Sequence, residues 1–200
     1  MNNDLILAHQ AALSQCRLCP DMVPPVIIGE AVQSEILLVG QAPGDKEGAL
    51  GRPFAWTAGK TLFKWFETIG VSEQDFRRQV YMSAVCRCFP GKNPKGGDRV
   101  PNKIEIELCS QWLNKEIQML QPKLIIPVGK LAISQYISLN KLTDVIGKKF
   151  KLCLDDVNVE ILPLPHPSGA STWHQSLPGK DLLQQALRLL SEHESWQRLK

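Results

Sequence analysis

The run Val39-Gly40-Gln41-Ala42-Pro43-Gly44-Asp45 closes an apolar stretch and is followed by Gly51-Arg52-Pro53-Phe54. Two glycines let a chain turn sharply and bring its backbone close to a ligand. One amide, Gln41, and one aromatic face, Phe54, complete the set. A site made of main chain, an amide and a ring suits a planar polar ligand such as a nucleobase. The turn lacks the Lys-Ser/Thr of a phosphate loop and the GxGxxG spacing of a dinucleotide site. Cys16-Arg17-Leu18-Cys19 forms a CxxC pair, and Cys86, Cys88, Cys109 and Cys153 follow later. Such pairs hold metals or clusters, or exchange disulfides. A redox pair opens a helix just after a strand; this one follows a helix and precedes Pro20, which disfavours that use. Arg87, Lys92, Lys95, Arg99 and Lys103 crowd one segment, either a nucleic-acid patch or a solvated loop.

These residues need elements to carry them. Residues 4–15 read as an amphipathic helix with Leu5, Ala8, Ala12 and Gln15 on one face and Leu13 beside it. Residues 36–40 read as a buried parallel strand. Residues 59–69 carry Leu62, Phe63, Phe66 and Ile69 at helical spacing, with Gly70 as the stop. A second strand is expected over 79–86 and a long helix over 101–120, its inner face holding Ile106, Cys109, Leu113, Ile117 and Leu120. A third strand over 124–128 leads into a helix through Tyr136; a small hairpin is expected within 141–154. A fourth strand over 159–164 ends at Pro165-His166-Pro167-Ser168, and a helix over 180–193 closes the chain. Strands alternating with helices predict an α/β fold: a three-layer α/β/α sandwich around a central, mainly parallel four-stranded sheet. The glycine turn, the segment after Cys88 and the loop at 165–169 all follow strands. They therefore meet at the carboxyl ends of the sheet, where such folds bind ligands.

Two hundred residues suit one domain spanning 1–200. An apolar fraction of 44% and a charged fraction of 22% are those of an ordinary globular chain. No apolar stretch approaches the ~20 residues of a membrane span, and no signal peptide is evident, so a cytoplasmic monomer is expected. A net charge of +3 permits nucleic-acid binding without requiring it. In that compartment the six cysteines argue against a disulfide framework.

In this order, five features resemble the uracil-DNA glycosylase superfamily, most of all its iron–sulfur branch, family four. They are Cys16-x-x-Cys19; Gly40-Gln41-Ala42-Pro43-Gly44, similar to GEAPG; Gly51-Arg52-Pro53-Phe54 with Ala58-Gly59; Val80-Tyr81 leading to Cys88-Phe89-Pro90, with Cys109 beyond; and His166-Pro167-Ser168. The resemblance implies a DNA glycosylase that hydrolyses the N-glycosidic bond of a flipped, deaminated base, uracil by default, in base excision repair. Phe54 would stack on the base, Gly40, Gln41 and Ala42 would contact its edge, and His166 would stabilise the departing anion. Ser168, with Gly169-Ala170-Ser171, would hold DNA phosphate; Lys92, Lys95 and Arg99 would lie near DNA. Trp173 reads as a DNA wedge or as packing. Residue match assigns Cys16, Cys19, Cys88 and Cys109 to a [4Fe–4S] cluster, with zinc as the lesser alternative; Cys86 shares a strand face with Cys88 and is open as its substitute. Cys153 reads as a buried bystander.

Three positions depart from the pattern. Gln41 stands where family four has glutamate, and an amide cannot act as a base. Ala55-Trp56-Thr57 holds no carboxylate where other branches place an aspartate. Ala84 occupies the place of a uracil-reading asparagine. Asp45 and Glu47 are either substitute water-positioning acids or solvent-exposed loop acids. These departures also allow a second reading: a catalytically weak or inactive iron–sulfur DNA-binding module of the same fold.

Overall fold

Strand β1 (Ile36–Gly40) is buried at every position, and its side chains alternate between two cores. Ile36 and Leu38 enter one hydrophobic cluster, Leu37 and Val39 the other. Covered on both faces, it also pairs in parallel on both edges, with β2 (Tyr81–Ala84) and β3 (Leu124–Pro127). The computed structural model describes residues 3–169 and 171–200, so Ala170 lies outside the described residues.

The expected four-stranded sheet is five-stranded, in the order β2-β1-β3-β5-β4. The segment 141–154 holds one strand and no hairpin of its own: β4 (Phe150–Leu154) pairs antiparallel with the expected fourth strand, β5 (Val157–Ile161), and β5 pairs in parallel with β3. Asp155 and Asp156, both at positive φ, make the tight turn that the segment's alternating pattern conceals.

One layer holds α3 (Thr57–Glu67), α4 (Glu73–Gln79), α7 (Gly179–Ser191) and α8 (Glu194–Gln197), packed through Phe63, Phe66, Phe76, Leu187 and Trp196. The other holds α1 (Asn3–Ser14) and α5 (Lys103–Leu120), packed through Ile6, Leu113 and Ile117. Short helices α2 (Glu47–Leu50) and α6 (Lys130–Ser134) follow β1 and β3.

Three local expectations change. Helix α1 buries Ile6, His9 and Leu13, whereas Leu5 is 62% exposed. The second strand is shorter than expected, because residues up to Gln79 belong to α4, capped by Ser72 accepting from the Asp75 N–H. Helix α5 starts at a capping box: Asn102 accepts from the Glu105 N–H, and Glu105 accepts from the Asn102 N–H. Among the described residues no helix is long and apolar enough to cross a membrane.

Candidate functional site

A cleft of about 590 Å³ opens at the carboxyl ends of β1 and β2. Gly40, Gln41, Ala42, Phe54, Ala84, His166, Ser168, Lys92 and Arg99 all line it. The turn after β1 is laced to the chain after β2: Val85 N–H donates to Gly40 O (2.9 Å) and Cys86 N–H to Gln41 O (3.1 Å). Gly40 is needed for its lack of a side chain, since a Cβ there would lie 3.0 Å from the Phe54 ring. The ring thus lies against bare backbone and forms one wall. Phe54 adopts φ 51°, and its carbonyl accepts from Arg77 Nη2 (2.9 Å) while Arg77 Nη1 donates to Pro53 O (2.9 Å). Arg77 therefore holds the aromatic loop in place. The backbone N–H groups of Gln41 and Ala42 have no partner among the described residues and remain available to a ligand.

Glu47 is neither a free acid nor exposed. Its carboxylate accepts from the Gly44 N–H (3.0 Å) and the Ala55 N–H (3.1 Å), tying the glycine turn to the Phe54 loop. Burial raises its pKa, partly offset by those N–H donors. Asp45 is exposed and lies 3.4 Å from Lys92 Nζ.

His166 reaches the cleft because pairing continues past β5: Leu164 N–H donates to Pro127 O and Gly129 N–H to Leu164 O, both at 2.9 Å. Its Nδ1 accepts from the Ser168 N–H (3.2 Å) and lies 2.9 Å from Ser168 Oγ. Its Cδ2 edge rests on Gly129, at φ 89°, where a Cβ would approach to 2.9 Å. An Nδ1 that accepts puts the proton of the neutral ring on Nε2, which has no protein partner among the described residues. Burial, and secondarily His174, lower the pKa of His166, favouring the neutral ring.

The cleft floor is apolar where a base edge would lie. Ala84 is 9% exposed, and its carbonyl accepts from Arg87 Nε (3.1 Å). The neighbouring Ser83 hydroxyl is engaged by Arg87 Nη2 (2.5 Å) and donates to Glu116 (2.9 Å).

A second cavity, of about 250 Å³, is lined by Cys16, Cys19, Cys86, Cys88 and Cys109. Burial, then Cys109 and Cys16, raise the pKa of Cys19; burial, then Cys109, Cys16 and Cys19, push Cys88 up to about 11. Beside Cys86 and Arg87, the pKa of the Cys109 thiol is lowered to about 7 despite its burial. Among the described residues no three His, Cys, Asp or Glu side chains converge on a point that would hold a single ion. The space is several times the ~30 Å³ share of one water. Five thiols facing one space are a donor set suited to a thiolate-held group. Cys153, expected to be buried, is exposed on β4.

The basic segment is largely neutralised. Arg87 is 3% exposed, inside the protein rather than on a patch, and pairs with Glu116. Arg99 forks onto Glu105 (2.6 and 2.7 Å), and Lys92 pairs with Asp98 (2.8 Å). Lys95 is exposed but does not line the cleft. Trp173 is partly buried and packs on the core, which favours its packing role over a wedge.

Two features escape a reading of the sequence. One is the buried network in which Glu116 accepts from Tyr81 (2.9 Å), Ser83 and Arg87 and contacts His9 Nε2 (3.3 Å). Its only local sign is a carboxylate, Glu116, beside Ile117 in the apolar stripe of α5. The other is Trp56, exposed at the cleft mouth, for which the sequence carries no signal.

The sequence profile of the Uracil DNA glycosylase superfamily matches residues 27–191, a span that includes every cleft residue named above but not Cys16 and Cys19. The Type-4 uracil-DNA glycosylase of Pyrobaculum aerophilum is 33% identical over 177 residues, 82% of this chain and 83% of that one. That of Sulfurisphaera tokodaii is 32% identical over 143 residues, 69% of this chain but only 61% of the relative. That of Thermotoga maritima is 29% identical over 161 residues, 78% of each.

Proposed function

The chain belongs to the uracil DNA glycosylase superfamily, and from that premise we propose that its cleft receives a deaminated base flipped out of DNA and hydrolyses the N-glycosidic bond. Uracil is the default base, and an abasic site is the product. Flipping costs a few kcal/mol of unstacking, which the face of Phe54 offsets by stacking at about 1–3 kcal/mol. The free N–H groups of Gln41 and Ala42, with the Gln41 amide, meet the base edge.

One observation carries this reading: His166 is held as a neutral imidazole with Nδ1 occupied by Ser168 and Nε2 open to the cleft. As the glycosidic bond lengthens, the sugar becomes cationic and the base anionic. An Nε2–H in place before the reaction donates to the base oxygen where that charge develops. Ser168 orients the ring and, with Gly169 and Ser171, adjoins the DNA phosphates; Lys92, Lys95 and Arg99 lie along the same side.

Cys16, Cys19, Cys88 and Cys109 would hold a [4Fe–4S] cluster in the thiol cavity, where such a group supplies a cross-link between chain segments. Cys86, which lines the same cavity, is the surplus thiol.

A second reading, a DNA-binding module that excises slowly or not at all, draws on one observation. Among the described residues each carboxylate of the cleft already has a partner: both oxygens of Glu47 hold backbone N–H groups, and Asp45 and Asp98 pair with Lys92. Lost general-base help costs about 10²- to 10⁴-fold. The test is release of free base from oligonucleotides carrying uracil, hypoxanthine or xanthine. Release by the wild type, reduced about 10²- to 10³-fold in His166→Ala, supports the glycosylase. Salt-sensitive DNA binding with no release from any of them replaces it with the second reading.

A further inference from the structure

Phe54 and Trp56 stand two residues apart at the same cleft, yet only Phe54 packs against the core. Trp56 is 48% exposed, an uncommon state for the largest side chain. It occupies the N-cap of α3 in an extended conformation, which lifts it out of the helix and onto the rim. Among the described residues no other aromatic ring pairs with it, and the ammonium of Lys60, one turn along α3, lies 5.7 Å from its ring centre. Lys60 is exposed and makes no ion pair within the described residues. A half-exposed indole with a cation over its ring is a combination that binds unpaired nucleotides: the ring takes a base and the cation its phosphate.

We propose that Trp56 and Lys60 form a second nucleotide subsite, a stacking platform for the unpaired base adjoining the one in the cleft, which makes single-stranded DNA the preferred ligand. The inference rests on the cleft being a DNA site and goes beyond it to strand preference. In duplex DNA the neighbouring base is already stacked and paired, so reaching Trp56 costs a further few kcal/mol. In a single strand that base is available at little cost. The same indole acting as a wedge in the gap left by a flipped base would show the reverse dependence, helping duplex binding most.

The test measures affinity by fluorescence anisotropy for a lesion-free single strand and for the same sequence as duplex, with wild type, Trp56→Ala and Trp56→Phe. Thermal melting checks that both variants remain folded. Trp56→Ala is expected to weaken single-strand binding about tenfold and duplex binding less; Trp56→Phe, which keeps a ring, stays within about threefold of wild type. Unchanged single-strand affinity in Trp56→Ala overturns the subsite, as does a duplex loss at least as large. The probes hold no excisable base, so the two readings separate. Trp56-dependent binding without base release anywhere removes the glycosylase and leaves the subsite; uracil release with no Trp56 effect does the opposite.

Discussion

Two cavities flank the segment from Ser83 to Cys88, and they are built in opposite ways. The cleft on one side is made of main chain, a ring and a histidine, with backbone N–H groups left open. The thiol cavity on the other side is made of side chains from three separate stretches, around residues 16–19, 86–88 and 109. Between them lies Arg87, bonded to Ala84 and Ser83 towards the cleft and flanked in sequence by Cys86 and Cys88. Its partner Glu116 sits on α5, two turns beyond Cys109, and contacts His9 on α1, the helix that leads into Cys16. One carboxylate therefore ties together the three stretches that line the thiol cavity and also braces the cleft floor.

The largest test of this contrast is Glu116→Ala, which leaves Arg87 charged, buried and unpaired. Burial opposes the charge on Glu116, but Arg87 and the hydrogen bonds from His9 and Ser83 hold its pKa below the usual carboxylate range. Removing one partner of such a pair costs about 3–5 kcal/mol. Urea unfolding is expected to show that loss; a change under about 1 kcal/mol would break the link between the two cavities.

Next comes a comparison within the thiol cavity. Cys88→Ser is expected to lower bound iron and acid-labile sulfide after anaerobic purification, while Cys86→Ser keeps both. The reverse pattern would exchange their roles. Either variant should leave the cleft residues in place, because Arg87 keeps its bonds to Ser83, Ala84 and Glu116.

The smallest effect belongs to the histidines. Burial first, with His174 as a second cause, lowers the His166 pKa; burial lowers that of His174, and burial outweighs Glu160 in lowering that of His193. In the unfolded chain each imidazole takes up a proton near pH ~6.5, but in the folded chain only at lower pH. Their contribution is thus complete above pH ~6.5 and lost as pH falls towards the folded values. Denaturation midpoints at pH 7.5 and 5.5 should differ in that direction, and His166→Ala should narrow the gap. A midpoint that rises on acidification would contradict the burial of these rings.

Much of the cleft was legible because its parts are local. A glycine turn after an apolar run, GRPF before a helix, and HPS at a strand end each combine a short spacing with a backbone requirement. The number of strands was less legible: the hairpin at Asp155 and Asp156 carries no glycine to mark it. The pairing of the basic segment was not legible, since Lys92, Arg99 and Arg87 look alike in a row of letters. Only Lys95 and Lys103 in that row lack an ionic partner among the described residues.

The order and spacing of residues determined the α/β class, the meeting of Gly40, Phe54, Ala84 and His166 at one end of the sheet, and the family. Tertiary structure alone decided that Arg87 is buried, that Glu47 staples two loops, that Cys86 joins the thiol cavity, and that Trp56 is left uncovered. The physical reason is range. Turns and periodicity follow from neighbours a few residues apart, but whether a charge is neutralised or a ring is covered depends on partners such as Glu116, 29 residues from Arg87, which only folding brings into contact.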